Sequence, residues 1–530
     1  MTETTPDGSP RWRPHHNPWL VAVVATVAAF MEVLDSTIVN VSLPHIAGSL
    51  SAGTDEATWT LTSYLVANGI VLPLSGWLSS VFGRRNFFLI CIAFFTLFSL
   101  LCGLATSLPA LIGFRLLQGL FGGGLQPTQQ AILLDSFPPE KRGMVFAVTA
   151  IAVVVGPVLG PTLGGYLTDA FSWRWIFFVN VPVGIGAWLG CAWLVEDPPH
   201  AKRGKQTGGI DGIGIGLIAI GFGALQIMLD KGTTEDWFDS RLICVCAFAS
   251  AAALCAAVFW LLGRSNPVVD IRLFANRNFA IGNALIFMTG AVLYSSAVLL
   301  PQFAQLDLGY TSLLAGLVLS PGALATIALL PLVARLLLPR VPTKWLIAFG
   351  FAILGLALVW TGTRISGQVA FGELVITRIS QTLGLAFLFV PISIVTFSGL
   401  SAAQNSSGAA LYAMSRNVGG SIGIALATAL VANRSQWRFA QLAPYQSPFS
   451  QAYNDALSNT TQGLVNLGAA VSSAGSQANG YLYQTLIQQS SILAYADAFI
   501  VVGCASLAAV TLALILRSAP APTRMPLGGH

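Results

Sequence analysis

Along this chain, stretches of about 20 apolar residues recur, each long enough to cross a bilayer as a helix. Fourteen such runs are present, the first over 18–43, the fifth over 143–166, the seventh and eighth over 212–229 and 242–263, the ninth over 279–303 and the last over 490–516. Inside a bilayer, every backbone donor and acceptor needs an internal partner, so serial runs of this length fold as helices. Only 9% of the residues are charged against 55% hydrophobic, whereas a soluble domain carries about 25% charged residues. The expected fold is an all-α polytopic membrane protein with fourteen transmembrane helices.

An even number of spans puts both termini on one side, and the basic residues choose which. With the N-terminus inside, Arg174, Lys231, Arg241, Arg364, Arg434 and Arg438 fall in external loops and Arg115, Arg378 and Arg416 within helices, while the rest of the 26 Lys and Arg are cytoplasmic. That asymmetry follows the positive-inside rule, and it makes the net charge of +5 a matter of topology, with no nucleic acid implied. The polar tail over 1–17 has no cleavable signal, and the tail over 518–530 is cytoplasmic too. All 7 cysteines lie in apolar segments, so no disulfide framework is expected. No Cys/His cluster suggests a metal, and no G-x-x-x-x-G-K-[ST] suggests a P-loop ATPase. No cofactor is expected.

RLLQGLFGGGLQP over 115–127 resembles RISQTLGLAFLFVP over 378–391. Both read Arg-x-x-Gln, then small or apolar residues, then Pro. If these are matching helices, the chain divides into a six-helix half over 18–196, a second half over 279–517, and a segment over 197–278 holding a basic linker and an inserted two-helix hairpin. Repeats of this kind are typical of secondary transporters, with the site between the halves. One polar stretch, 433–489, forms a long external loop. Its Leu457, Leu464, Leu467 and Val471 recur at helical steps, and a structureless loop of that length is unusual.

Chemistry concentrates in three places. In the first helix, Glu32 and Asp35 are three apart and share a face. Intramembrane carboxylates are expensive and mark functional sites, and such a pair suits loading and release of a proton. The alternative is a structural ion pair with Arg115 of the fourth helix, which cannot itself carry the proton because it does not deprotonate. In the fifth helix, Gly156, Gly160 and Gly164 share one face, so another helix can approach its backbone closely. Pro157 and Pro161 form a neighbouring row that bends it, and Gly165 completes the pattern. After the second helix, Gly76, Gly83, Arg84 and Arg85 form a tight basic loop. A plain positive-inside anchor also accounts for the two arginines.

The fifth-helix pattern G-P-x-x-G-P-x-x-G-G looks like the signature of proton-driven exporters. With it go LDSTIVNVSLP (34–44), WTLTSYLVANGIVLPLSGWL (59–78), RLLQGLFGGG, WRWIFFVNVPVG (173–184), LQIMLDKG with DWF (225–238) and NPVVDIRLFANRNF (266–279). Together they resemble the fourteen-helix drug:proton antiporters of the major facilitator superfamily, of the type that forms the inner-membrane subunit of tripartite efflux pumps. The resemblance implies two six-helix bundles plus two inserted helices in the cell inner membrane, and a transporter, not an enzyme. It implies export of lipophilic small molecules in exchange for protons, and a periplasmic adaptor (membrane fusion protein) leading to an outer-membrane channel. Glu32, Asp35 and Arg115 are then the proton-coupling candidates. The cavity is expected between helices 1, 2, 4 and 5 and helices 9, 10, 12 and 13, with Tyr64, Asn68, Gln126, Tyr294, Gln302 and Tyr412 as substrate contacts. A metabolite or siderophore exporter or symporter of the same fold is the alternative. One position departs: Ser80 stands where the family's loop motif carries Asp, so the cytoplasmic latch must be weaker or built differently.

Overall fold

The computed structural model describes residues 15–198 and 211–516. The C-terminal tail, most of the N-terminal tail and the middle of the basic linker lie outside the described residues, as does the side chain of Pro157.

Twelve helices are long and apolar enough to cross a membrane. Numbered by their place in the chain, they are α1 (Pro18–Ser49), α2 (Trp59–Phe82), α3 (Arg84–Leu104), α4 (Leu108–Ser136), α6 (Trp175–Leu194), α7 (Gly212–Lys231), α8 (Arg241–Gly263), α9 (Arg277–Leu306), α10 (Leu313–Leu337), α11 (Thr343–Arg364), α12 (Phe371–Phe397) and α14 (Val471–Leu514). Two more long helices, α5 (Pro139–Ala170) and α13 (Asn405–Leu442), occupy the fifth and thirteenth positions. The described chain is a multi-pass membrane protein without strands.

Local signals set several helix starts. Asn17 accepts a hydrogen bond from the Trp19 amide at 2.9 Å, with Pro18 at the first helical position. Asp211 caps α7 through the Gly214 amide at 3.0 Å. Each supplies an acceptor to a helix start that lacks one.

In lipid, hydrophobicity alone does not drive helices together, and small residues let backbones close up instead. Here a Cβ on Gly384 of α12 would lie 2.7 Å from the Gly350 carbonyl of α11, and one on Gly503 of α14 would lie 2.8 Å from the Gly355 carbonyl of the same helix. Between α4 and α2, a Cβ on Gly119 would meet the Tyr64 carbonyl at 2.3 Å and one on Gly123 the Asn68 carbonyl at 2.6 Å. The glycine-rich stretch of α4 thus presses Tyr64 and Asn68 toward the molecule's centre.

The two Arg-x-x-Gln segments adopt the same local structure. Arg115 donates to Gln118 Oε1 at 2.8 Å, and Arg378 donates to Gln381 Oε1 at 3.2 Å. Both arginines are buried. Each host helix is interrupted roughly two turns later, at 123–124 in α4 and at 387–388 in α12.

The stretch over 433–489 is mostly helical. The 38-residue α13 and the 44-residue α14 run to roughly 57 and 66 Å at 1.5 Å per residue, about twice the hydrocarbon thickness. They continue past the bundle as a paired stalk on the face opposite the N-terminus, joined by a short helix, Gln451–Asn466. Arg438 grips Asp497 at 2.9 Å, Phe439 packs edge-on against Tyr483, and Gln446 donates to the Leu482 carbonyl at 2.7 Å. The apolar pattern expected as one helix divides here. Leu457 and Leu464 are half-buried in the short helix, whereas Leu467 and Val471 sit exposed at the tip, because Gly468 takes φ +97° and breaks the helix between them.

Candidate functional site

A cavity of about 230 Å³ lies between the halves, and Glu32 opens onto it. Glu32 is 4% exposed. Its Oε1 accepts from Asn68 at 3.0 Å and from the Tyr64 hydroxyl at 3.3 Å. Its Oε2 accepts from the Gln126 amide, and the Gln126 carbonyl oxygen accepts in turn from Arg416 of α13. A single chain, Glu32–Gln126–Arg416, therefore crosses from the first half to the second.

Asp35 lies one turn further along α1, in different surroundings. It is fully buried and paired with Arg115 at 2.6 Å. Its other oxygen accepts from Asn180 at 2.8 Å and Gln118 at 3.1 Å. Arg115 also donates to the Thr60 carbonyl at 3.2 Å, and its guanidinium lies 4.1 Å from the centre of the Tyr64 ring. Tyr64 thus touches both acids' networks, its hydroxyl on Glu32 and its ring on Arg115. The three proton-coupling candidates resolve into an ion pair and a separate carboxylate.

Of the six expected substrate contacts, Tyr64, Asn68, Gln126 and Tyr294 line the cavity. Gln302 lines an adjoining space nearer the stalk, with Asp230, Thr233 and Tyr495. Tyr412 lies instead in the core of the second half, 2.8 Å from the Ser393 hydroxyl. The lining helices also differ from expectation. Helices α1, α2, α4, α5, α9 and α13 contribute, but among the described residues α10 and α12 do not, and the inserted helix α7 does.

The glycine face of α5 packs on α1. A Cβ on Gly156 would meet Val33 at 2.4 Å, one on Gly160 would meet Thr37 Oγ1 at 2.1 Å, and one on Gly164 would meet the Ile38 carbonyl at 2.7 Å. Thr37 also donates to the Gly156 carbonyl at 3.2 Å. The helix so approached is the one carrying both carboxylates. Pro161 lines the cavity and Gly165 is buried.

At the end of the bundle nearer the N-terminus, the basic loop closes on the second half. Arg84 is 3% exposed and ion-paired with Asp135 of α4. It also donates to the Ala402 carbonyl at 3.3 Å, and Asn405 donates to Asp135 at 2.9 Å. A Cβ on Gly76 would meet Ser407 Cα at 2.9 Å. Gly83 takes φ +83°, and the Arg85 amide donates to Asp197 at 2.8 Å. Arg84 is therefore no solvated anchor. Among the described residues Ser80 bonds its own helix, at the Trp77 carbonyl, and Asp135 supplies the acid of this clamp.

From the sequence Arg416 is only a cation within a helix, and neither Asp135 nor α7 stands out as part of the site. The signal for Arg416 was present, a cation within an apolar run, but its partner is 290 positions away.

Comparison with known proteins agrees with this architecture. The sequence profile described as Major Facilitator Superfamily matches residues 25–424. The "Multidrug export protein EmrB" of Haemophilus influenzae is 36% identical over 91% of this chain and 92% of its own length. The "Fatty acid resistance protein FarB" of Neisseria gonorrhoeae is 33% identical over 95% and 96%. The crystal structure of the human organic anion transporter MFSD10 superposes with a TM-score of 0.58 over 93% of this chain and 100% of that one, at 14% identity, a likeness of fold.

Proposed function

This chain belongs to the Major Facilitator Superfamily, and from that premise we propose that it is a proton-driven exporter of lipophilic compounds. The observation that carries the reading is the setting of Glu32, a buried carboxylate opening on the central cavity and held by the neutral groups of Tyr64, Asn68 and Gln126. Such an acid can take up a proton without breaking a direct ion pair, because Arg416 reaches it only through Gln126. Asp35 cannot, because its proton would leave Arg115 buried and unpaired, a costly state.

Proton uptake by Glu32 removes the charge that holds Gln126, and Gln126 then releases its grip on Arg416 across the interface. Loading the proton thereby loosens a contact between the halves, which is what alternating access requires. The α5 glycine face lets α1 slide at close range, and the Arg84–Asp135–Asn405 clamp closes the cytoplasmic end. The largely apolar cavity, and relatives named for multidrug export and fatty acid resistance, support lipophilic cargo.

Both termini are cytoplasmic in this reading, the membrane is the cell inner membrane, and the stalk projects into the periplasm. The stalk is the docking surface for an adaptor leading to an outer-membrane channel. No residue of 433–489 lines the cavity or its outward extension, which favours docking over a lid.

The deciding measurement uses purified, reconstituted protein with a pH-sensitive dye, challenged with ethidium and with decanoate. Substrate-driven proton movement, with export in inverted vesicles, is expected. Import with protons favours the symporter alternative, and no proton movement with either compound counts against coupling.

A further inference from the structure

The inserted hairpin lies outside both six-helix bundles in the sequence, yet α7 forms part of the cavity wall. Phe222, Leu225, Gln226 and Leu229 line the same space as Glu32, and their spacing puts them on one helical face. The helix is fastened to both halves. Asp230 accepts from Thr62 of α2, and Gln226 Oε1 accepts from the Ser421 hydroxyl of α13 at 3.1 Å. A Cβ on Gly223 would lie 3.4 Å from Ile70 of α2, so the helix seats closely there. It packs against both α2 and α13 beside the cavity.

Gln226 also borders the outward extension of the cavity, beside Asp230 and Gln302. Its carbonyl oxygen accepts from Ser421, and among the described residues no hydrogen bond takes its two amide hydrogens, while the side chain borders the cavity. An amide donor among apolar side chains suits an amphiphile whose apolar body carries a hydrogen-bond acceptor. In a site built to pair such a group, a ligand without it gains nothing from the donor.

We propose that α7 is the substrate-selecting wall of this exporter and that Gln226 is a specificity-determining residue for amphiphiles bearing a hydrogen-bond acceptor. The inference rests on the cavity being the substrate site, and two independent arms test it on the reconstituted full-length protein. The first needs no substrate. Gln226→Cys and Leu225→Cys are treated with the membrane-impermeant reagent sulfonatoethyl methanethiosulfonate, with Phe248→Cys on the lipid-facing surface of the membrane-spanning α8 as the control, and labelling is scored above the 7 native cysteines. A thiol reacts through its thiolate and needs water, so labelling about tenfold faster at 225 and 226 than at 248 is expected. Equal rates overturn the wall assignment.

The second arm compares rhodamine 6G, which carries an ester carbonyl, with tetraphenylphosphonium, which has no acceptor. Set beside Ser421→Ala, which removes the same fastening hydrogen bond, Gln226→Leu is expected to raise KM for rhodamine 6G about three- to tenfold, with kcat and tetraphenylphosphonium transport changed no more than in Ser421→Ala. Equal loss for both compounds overturns the specificity role. If the unaltered protein moves neither compound, the exporter reading is what fails for these probes, and the labelling arm still decides whether α7 walls the cavity.

Discussion

Glu32 and Asp35 stand one turn apart on α1, and their partners give them different consequences when neutralised. Glu32→Gln keeps the shape and the neutral donors around it, so the protein should fold and insert normally while substrate-driven proton movement is lost. Asp35→Asn leaves Arg115 buried without its counter-ion, which costs about 3–5 kcal/mol. It should show first as a fall in melting temperature and detergent-solubilised yield. The measurement is thermal unfolding beside proton flux for each variant. A stable, inactive Asp35→Asn protein beside a fully active Glu32→Gln protein would reverse the assignment. Asp307, just past the end of α9, offers a pH test outside the membrane. Burial pushes its carboxyl above the ordinary carboxylate range, against a hydrogen bond from Ser491. The folded protein therefore holds this proton more tightly than the unfolded chain. Its contribution to stability is greatest below the ordinary carboxylate value and declines as pH rises through the raised one. Asp307→Asn should accordingly raise the melting temperature at neutral pH, with the difference vanishing in acid.

Among the elements, α5 lays its glycine face on α1, and the α2–α3 loop reaches the second half through Arg84. At Gly160 even a methyl group would press on Thr37 and would lie 3.1 Å from the Ile38 amide, so Gly160→Leu has to force α5 off α1. Transport is expected to stop. Detergent yield and thermal stability then separate a blocked but intact protein, as a moving interface requires, from a misfolded one, as plain packing requires. The clamp makes the opposite prediction. Asp135→Asn removes the acid that pairs with Arg84 and accepts from Asn405, so the end nearer the N-terminus should open more readily. Cysteines placed at Ser80 and Ser407 should then become more reactive toward a hydrophilic thiol reagent added from that side. Unchanged reactivity would mean that this ion pair does not hold the halves together.

For the whole molecule, the stalk stands apart from the cavity. Replacing 441–484 with a short Gly/Ser linker removes its tip and leaves the Arg438–Asp497 pair in place. Loss of cellular drug resistance with intact proton-coupled transport in proteoliposomes is the outcome expected of an adaptor dock. A purified variant that is inactive or leaky would point to a lid instead.

The sequence by itself determined the membrane, the helices and their order, because a bilayer forces each apolar run of spanning length into a helix with its hydrogen bonds satisfied internally. It also singled out Glu32, Asp35 and Arg115, because charge inside an apolar run is rare and visible without coordinates. The related surroundings of Arg115 and Arg378 were legible too, since an Arg-x-x-Gln hydrogen bond is local to one helical turn. Tertiary structure alone decided which acid faces the cavity, because side chains one turn apart can meet entirely different neighbours. It alone joined Arg416 to Glu32 through Gln126, moved Tyr412 from the cavity to the core, and brought α7 into the wall. Those pairings link residues far apart in the chain, and helix periodicity carries no information about which helices become neighbours. Even the stalk was half legible: its helical steps were present in 433–489, but only packing of α13 against α14 turned two helix ends and a polar stretch into one projecting element.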